Sequence, residues 1–148
     1  MSAQANRELI LRFYEEVWNR GNVDAANAIF ADDYVRHDLR QTTAQAGGRG
    51  QAKIAADFRR AFPDLELTVD VLVADDEHVA ARWTMAGTHT GRWGGVAPTG
   101  RTVVYSGANF FRIRKGRVVE IWNHRDDLGL REQLGVAVYA GAPPDGEA

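Results

Sequence analysis

Thr102-Val103-Val104-Tyr105-Ser106-Gly107-Ala108-Asn109-Phe110-Phe111-Arg112-Ile113-Arg114, then Lys115-Gly116, then Arg117-Val118-Val119-Glu120-Ile121-Trp122-Asn123-His124-Arg125 is the stretch whose reading decides the fold. Two runs rich in β-branched and aromatic residues flank a Lys-Gly pair, and glycine tolerates the positive φ that a tight hairpin turn requires. Side chains alternate across a strand. The first arm therefore carries Tyr105, Asn109, Phe111 and Ile113 on one face. On the second arm Val119, Ile121, Asn123 and Arg125 share one side, and Val118, Glu120, Trp122 and His124 the other. Each arm thus sets one amide into an apolar wall, and His124, Asp126 and Asp127 gather where the second arm ends.

Upstream, Leu65, Leu67, Val69, Val71 and Val73 alternate with polar residues, and Val79 to Thr88 repeats the pattern, so two more strands precede the hairpin. Before Leu65 the period is helical. Ile10, Phe13, Tyr14, Val17 and Trp18 form the stripe of an amphipathic helix that Asn19-Arg20-Gly21-Asn22 stops. A shorter helix starts near Asp24 and carries Ala26, Ile29 and Phe30 inward, with Ala31-Asp32-Asp33 leading out of it. A third presents Ile54, Ala55, Phe58, Ala61 and Phe62 and ends before Pro63. Gln41 to Gly50 is polar and glycine-rich and is predicted to be a mobile loop, and Leu128 to Leu134 a short closing helix. Helices first and consecutive strands afterwards indicate an α+β architecture. A curved antiparallel meander with the N-terminal helices on one face would enclose a cavity, apolar except where a polar side chain interrupts it.

The 148 residues fit a single domain over 1–148, with its core at about 7–135 and a flexible tail at 141–148. A net charge of -2 with acids and bases interspersed argues against nucleic acid and anionic membrane as partners. No cysteine is present, so disulfides, thiol nucleophiles and thiolate metal sites are excluded. A charged N-terminus and the lack of any long apolar run predict a cytoplasmic protein. The four histidines show no i, i+4 pair and no HExxH, and the glycine-rich stretches match neither a dinucleotide fingerprint nor a phosphate loop. The expectation is no bound metal and no bound cofactor.

Read in order, WNRGN (18–22), FADDYVRHD (30–38), AFPD (61–64), GTHTGRWGGVAPTGR (87–101), FFRIRKGRVVEIWN (110–123) and DDLGLREQLG (126–135) resemble the SnoaL-like branch of the nuclear-transport-factor-two-like superfamily. The resemblance covers roughly residues 7 to 135. It implies a cone-shaped α+β barrel whose pocket serves aromatic polyketide (anthracycline-type) biosynthesis, in aldol cyclases or in accessory hydroxylases without an obvious bound cofactor. Cyclases of this family use an aspartate seven positions after the hairpin glycine and a histidine about seven before it. Counted from Gly116, those positions hold Asn123 and Asn109. An amide has no accessible proton equilibrium, so it can orient or polarise a substrate oxygen but cannot act as the base of an aldol closure.

The site predicted from these considerations has Asn109 and Asn123 polarising substrate oxygens and His37 or Asp126 moving protons. Tyr14, Trp18, Phe58, Trp83, Met85, Trp93, Tyr105, Phe111 and Ile121 supply candidate contacts to a flat polycycle, although aromatic residues at such spacings are more often plain core. Either of Asp126 and Asp127 can instead N-cap the closing helix, His89 can stabilise a turn, and His78 reads as a solvated turn residue. The first expectation is a hydroxylase that takes dioxygen and externally supplied reducing equivalents from a reductase partner. The alternatives are an aldol cyclase with Asp126 as base, reached through a bulge that shifts the register, and a non-catalytic carrier of an aromatic metabolite. Val118 and Trp122 on the opposite face of the last strand predict a homodimer through the outer sheet face.

Overall fold

A computed structural model describes residues 2–38, 42–44 and 48–136. Helix α1 (Ala3–Arg12) opens with Ser2 as its N-cap, the Ser2 hydroxyl accepting from the Ala5 amide, and runs on into a π-helical segment, Phe13–Asn19. The wider winding of that segment turns Phe13, Tyr14, Val17 and Trp18 inward together. Asn19 ends it and reaches the sheet: its amide donates to the Leu67 carbonyl at 2.9 Å, and its oxygen accepts from the Leu67 amide at 2.7 Å. Backbone groups of an edge strand are thereby satisfied by one side chain, and the helix is fixed over the sheet.

Helix α2 (Asp24–Ile29) passes directly into β1 (Phe30–His37), and β2 (Thr42–Ala44) and α3 (Gly48–Ala61) follow. The strands β3 (Glu66–Ala74), β4 (His78–Thr88), β5 (Thr102–Arg114) and β6 (Arg117–Arg125) then form the meander, and α4 (Asp127–Gln133) closes the described chain. In the sheet the order is β2-β1-β6-β5-β4-β3. β2 and β3 are its two edges, so the cone stays open. The sheet is mixed rather than purely antiparallel, because β1 lies parallel to β6 with Arg36 opposite Ile121 and His37 opposite Trp122. Position 30, expected at the end of a helix, begins this strand. The predicted loop from Gln41 to Gly50 contains β2 and the start of α3, and its remaining positions, like the tail 141–148, lie outside the described residues.

The hairpin turn has Lys115 at φ 53° and Gly116 at φ 76°, the pair of positive values that matches the twist of the arms it joins. Two bulges change which side chains face inward. On β3 the ladder steps from Val69 opposite Trp83 to Val71 opposite Arg82, so Asp70 is the extra residue, and Val71 and Val73 emerge on the outer face at 56% and 61% exposure. On β6 the ladder steps from Val118 opposite Ile113 to Glu120 opposite Arg112, which leaves Val119 as the extra residue. Val118 is therefore fully buried alongside Ile121 rather than lying outside with Trp122. One core joins the helices to the concave face, with Phe13 edge-on to both Phe30 and Phe111 at 5.1 and 5.9 Å between ring centroids.

Candidate functional site

The concave face and the N-terminal helices enclose a pocket that opens to solvent at its mouth, about 390 Å³ when the open space there is counted. Phe13, Tyr14, Trp18, Arg36, Gln51, Ile54, Leu67, Trp83, Met85, Tyr105, Asn109, Ile121, Asn123 and Arg125 line it. Its wall is apolar apart from three amides, two phenols, two indoles and two guanidinium groups.

The amides sit directly opposite each other on β5 and β6, and both are buried. Asn109 Oδ1 accepts from the Tyr14 hydroxyl at 2.7 Å and from Trp83 Nε1 at 2.8 Å, and Asn109 Nδ2 donates to Asn123 Oδ1 at 2.6 Å. An indole nitrogen only donates, so Trp83 fixes which end of the Asn109 amide is oxygen, and Asn109 in turn fixes Asn123. The sequence of donors ends at Asn123 Nδ2, which is buried without a partner among the described residues. A buried N–H group in that position is a site waiting for an acceptor oxygen. Burial pushes the Tyr14 phenol well above its ordinary range and likewise raises that of Tyr105, so both stay protonated at neutral pH.

Arg36 enters from β1 and is almost fully buried. Its Nε and Nη2 donate to Asp38 at 3.1 and 3.0 Å, and its Nη1 donates to Gln51 on α3 at 3.3 Å. Arg125, two positions beyond Asn123 on the same face of β6, donates from Nη2 to Asp127 at 3.2 Å, and its guanidinium carbon stands 5.0 Å from the centroid of the Phe58 ring.

Of the residues singled out from sequence, Asn109, Asn123, Tyr14, Trp18, Trp83, Met85, Tyr105 and Ile121 come together on the pocket wall. Phe58 and Trp93 stand behind it, Phe58 against Trp18 at 5.6 Å and Trp93 against Phe58 at 6.3 Å. Phe111 is spent in the core, edge-on to Phe13 and Tyr14. His37 lies on the other side of the sheet: its ring stacks on Trp122 at 5.0 Å, and its Nε2 lies 2.5 Å from Glu120 Oε2. Parity along β1 explains this, since Arg36 faces in and its neighbour must face out. Asp126 points at α4 and N-caps it, accepting from the Gly129 amide at 2.9 Å. No register shift carries Asp126 inward, because past the bulge at Val119 the ladder runs unbroken with Asn123 opposite Asn109 and Arg125 opposite Gly107.

His89 is buried against Phe62, and its Nδ1 accepts from the Thr99 amide at 3.2 Å, holding the loop between β4 and β5. His78, expected in a turn, is exposed at the first position of β4, where Asp75 Oδ1 accepts its backbone N–H. Arg36, Gln51, Arg125, Phe13, Ile54 and Leu67 are wall residues that the sequence-based site leaves out. Arg36 and Gln51 meet through a contact between β1 and α3 that no local pattern announces. Among the described residues no three histidines or carboxylates gather as a metal site, and no helix is long and apolar enough to cross a membrane.

Comparison with known proteins gives this geometry its family. The family model for SnoaL-like polyketide cyclases matches residues 8–134. The chain belongs to the SnoaL-like polyketide cyclase family. AclR, a proposed hydroxylase from Streptomyces galilaeus, superposes with a TM-score of 0.80 at 30% identity, covering 90% of this chain and 98% of AclR. IdmH, a proposed polyketide cyclase from Streptomyces antibioticus, gives 0.72 at 31% identity over 88% of this chain and 98% of IdmH. A proposed cyclase from Acidithiobacillus ferrooxidans gives 0.79 at 28% identity over 88% and 94%. A search of curated proteins returns no match. Within this SnoaL-like cone, the amide pair and the two arginines are the polar features of the pocket that any reading of its chemistry has to use.

Proposed function

We propose that this SnoaL-like protein assists hydroxylation of a polycyclic aromatic polyketide of the anthracycline type, with dioxygen as oxidant and electrons from an external reductase, and with no cofactor bound to the chain. The observation that carries the reading is the unpaired Asn123 Nδ2, at the end of a donor chain made of groups that do not titrate near neutrality. A carbon acid needs a base, and the wall offers amides, guanidiniums and raised phenols instead. The likeness to AclR at 30% identity supports the same choice.

The reductase adds two electrons and two protons to a substrate quinone. The electron-rich hydroquinone bonds through a ring carbon to dioxygen, forming a hydroperoxide. The O–O bond then breaks and the departing hydroxide takes the proton on that carbon, which expels water without a base from the wall and restores a quinone that carries the new oxygen. Asn123 holds the hydroquinone oxygen that becomes negative as its proton leaves, the ionisation that makes the ring electron-rich enough to attack dioxygen, an interaction worth at most ~3–4 kcal/mol. The flat ring lies against Trp18, Trp83, Met85 and Tyr105. The cytoplasm, where nicotinamide-dependent reductases work, is the compartment this reaction requires. A second copy is proposed to cover the outer sheet face, where Val104 and Phe110 stand 60% and 46% exposed, because Trp122 is already covered by His37.

Incubation of the full chain with an anthraquinone ester precursor, a reductase, nicotinamide and ¹⁸O₂ should give a product carrying one ¹⁸O. Ring closure without reductant would replace this reading with the aldol cyclase, and binding without turnover in either assay would replace it with a carrier. Light scattering at micromolar concentration should give twice the chain mass, and a monomer would remove the second copy.

A further inference from the structure

The pocket wall carries two positive groups, Arg36 and Arg125, and no carboxylate among the described residues. Their situations differ. All three nitrogens of the Arg36 guanidinium group are engaged, two by Asp38 and one by Gln51, so Arg36 acts as a braced part of the wall. Arg125 makes one hydrogen bond, from Nη2 to an Asp127 whose side chain is 45% exposed, and its Nε and Nη1 have no protein partner among the described residues. Its guanidinium lies over Phe58, which holds it without using an N–H group. An Asp127 in contact with water offsets little of the charge that Arg125 presents to the cavity.

Arg125 also has a fixed relation to the open donor. It follows Asn123 by two residues on one face of a strand, which places the two Cα atoms roughly 6–7 Å apart. Both side chains line the same cavity, so one flat polycycle can meet both. We propose that the pocket selects a polycyclic aromatic bearing an anionic oxygen group, a carboxylate or an ionised phenol, that pairs with Arg125 while a ring carbonyl accepts from Asn123 Nδ2. The inference rests on the aromatic-substrate reading above and adds its charge. Arg125 is then a specificity-determining residue, and the planar guanidinium suits a carboxylate that can take two of its N–H groups.

Tryptophan fluorescence titration of the full chain with anthraquinone-2-carboxylate, 2-hydroxyanthraquinone and the uncharged anthraquinone-2-carboxamide tests this without oxygen or reductase. The carboxylate should bind at least about tenfold tighter than the carboxamide, and the preference should shrink as salt is added. A preference for the hydroxyanthraquinone that appears only above its phenol pKa would identify the phenolate as the anion instead. Arg125→Gln should bring carboxylate and carboxamide within about twofold of each other. Arg125→Lys should keep part of the preference and guards against a folding defect in the glutamine variant. Equal affinities in the parent chain, a preference that survives Arg125→Gln, or no binding of any probe at millimolar concentration would each overturn the proposal. The two readings fail separately: charge preference without turnover would sink hydroxylation alone, and hydroxylation without charge preference would sink the role of Arg125 alone.

Discussion

The indole of Trp83 lies in the space that a side chain on Gly107 would fill. A Cβ placed on Gly107 would stand 2.5 Å from Trp83 Cζ2 and 2.5 Å from the His124 carbonyl oxygen. The two residues are register partners on β4 and β5, and the missing side chain lets the ring lean along the sheet until Nε1 meets Asn109, two residues further on β5. A glycine within a strand is normally a weakness, and here it sets the geometry of the amide chain.

Replacing Gly107→Ala should therefore displace Trp83 and break its bond to Asn109, costing about 1–3 kcal/mol of stability from overpacking. Urea midpoints report the stability, and near-ultraviolet circular dichroism reports the indole. Turnover should fall as well, since the Asn109 amide loses the contact that fixes its orientation. An unchanged tryptophan spectrum in a less stable protein would place the strain at the His124 carbonyl instead.

How far the sequence could be read follows from which interactions are local. The β5–β6 hairpin is legible because period two, a Lys-Gly turn and the position of two amides all lie within one continuous stretch, and its limits fall at Thr102, Arg114, Arg117 and Arg125 as expected. The faces of Val71 and Val118 are misread because one extra residue in a ladder reverses parity without leaving any mark in composition. Strand β1 is hidden because Ala31-Asp32-Asp33 has no strand pattern, and its partner β6 lies some ninety residues away. His37, expected to move protons in the pocket, faces out for the same reason, and Arg36, given no site role from sequence, faces in, where Gln51 and Asp38 satisfy it.

Asp126 separates a structural carboxylate from a catalytic one. It accepts from the Gly129 amide at the start of α4, and a Cβ on Gly129 would run into its carboxyl group, so the cap and the glycine fit each other. Asp126→Ala should cost about 1 kcal/mol, the usual value of an N-cap, with ¹⁸O incorporation per folded molecule unaltered. A loss of turnover without a loss of stability would return Asp126 to the chemistry.

On the outer face Glu120 gives the pH dependence. Burial works to raise its pKa, but hydrogen bonds from His37 and Arg112 and the charges of both outweigh that and hold it below the usual carboxylate range. A lowered folded pKa contributes stability above the unfolded value of about 4.3, and the contribution is lost as pH falls through the folded value. The parent chain should thus exceed Glu120→Gln by about 1 kcal/mol at pH 7, a modest figure because the cluster is in contact with water. The gap in urea midpoints should close toward pH 3. A gap that stays constant with pH would mean that shape rather than charge holds the cluster.

Asn123 carries the sharpest test, because two replacements remove its free N–H with opposite effects on the rest of the chain. Asn123→Leu keeps the volume but strips the partner from Asn109 Nδ2, and leaving that buried group unpaired should cost about 1–3 kcal/mol. Asn123→Asp keeps an acceptor for Asn109 Nδ2, so the link between the two strands survives while the donor toward the cavity disappears. If the donor acts on a developing oxyanion, both variants should lose about 10²–10³ in kcat for hydroxylation despite their different stabilities. The aspartate variant alone gains a group that can take a proton, at the position where the family's cyclases hold one. It should therefore begin to close a ring on an anthraquinone ester without reductant, at a rate that rises as the carboxyl group ionises. Hydroxylation that is undiminished in Asn123→Asp would show that the open N–H group has no part in the reaction.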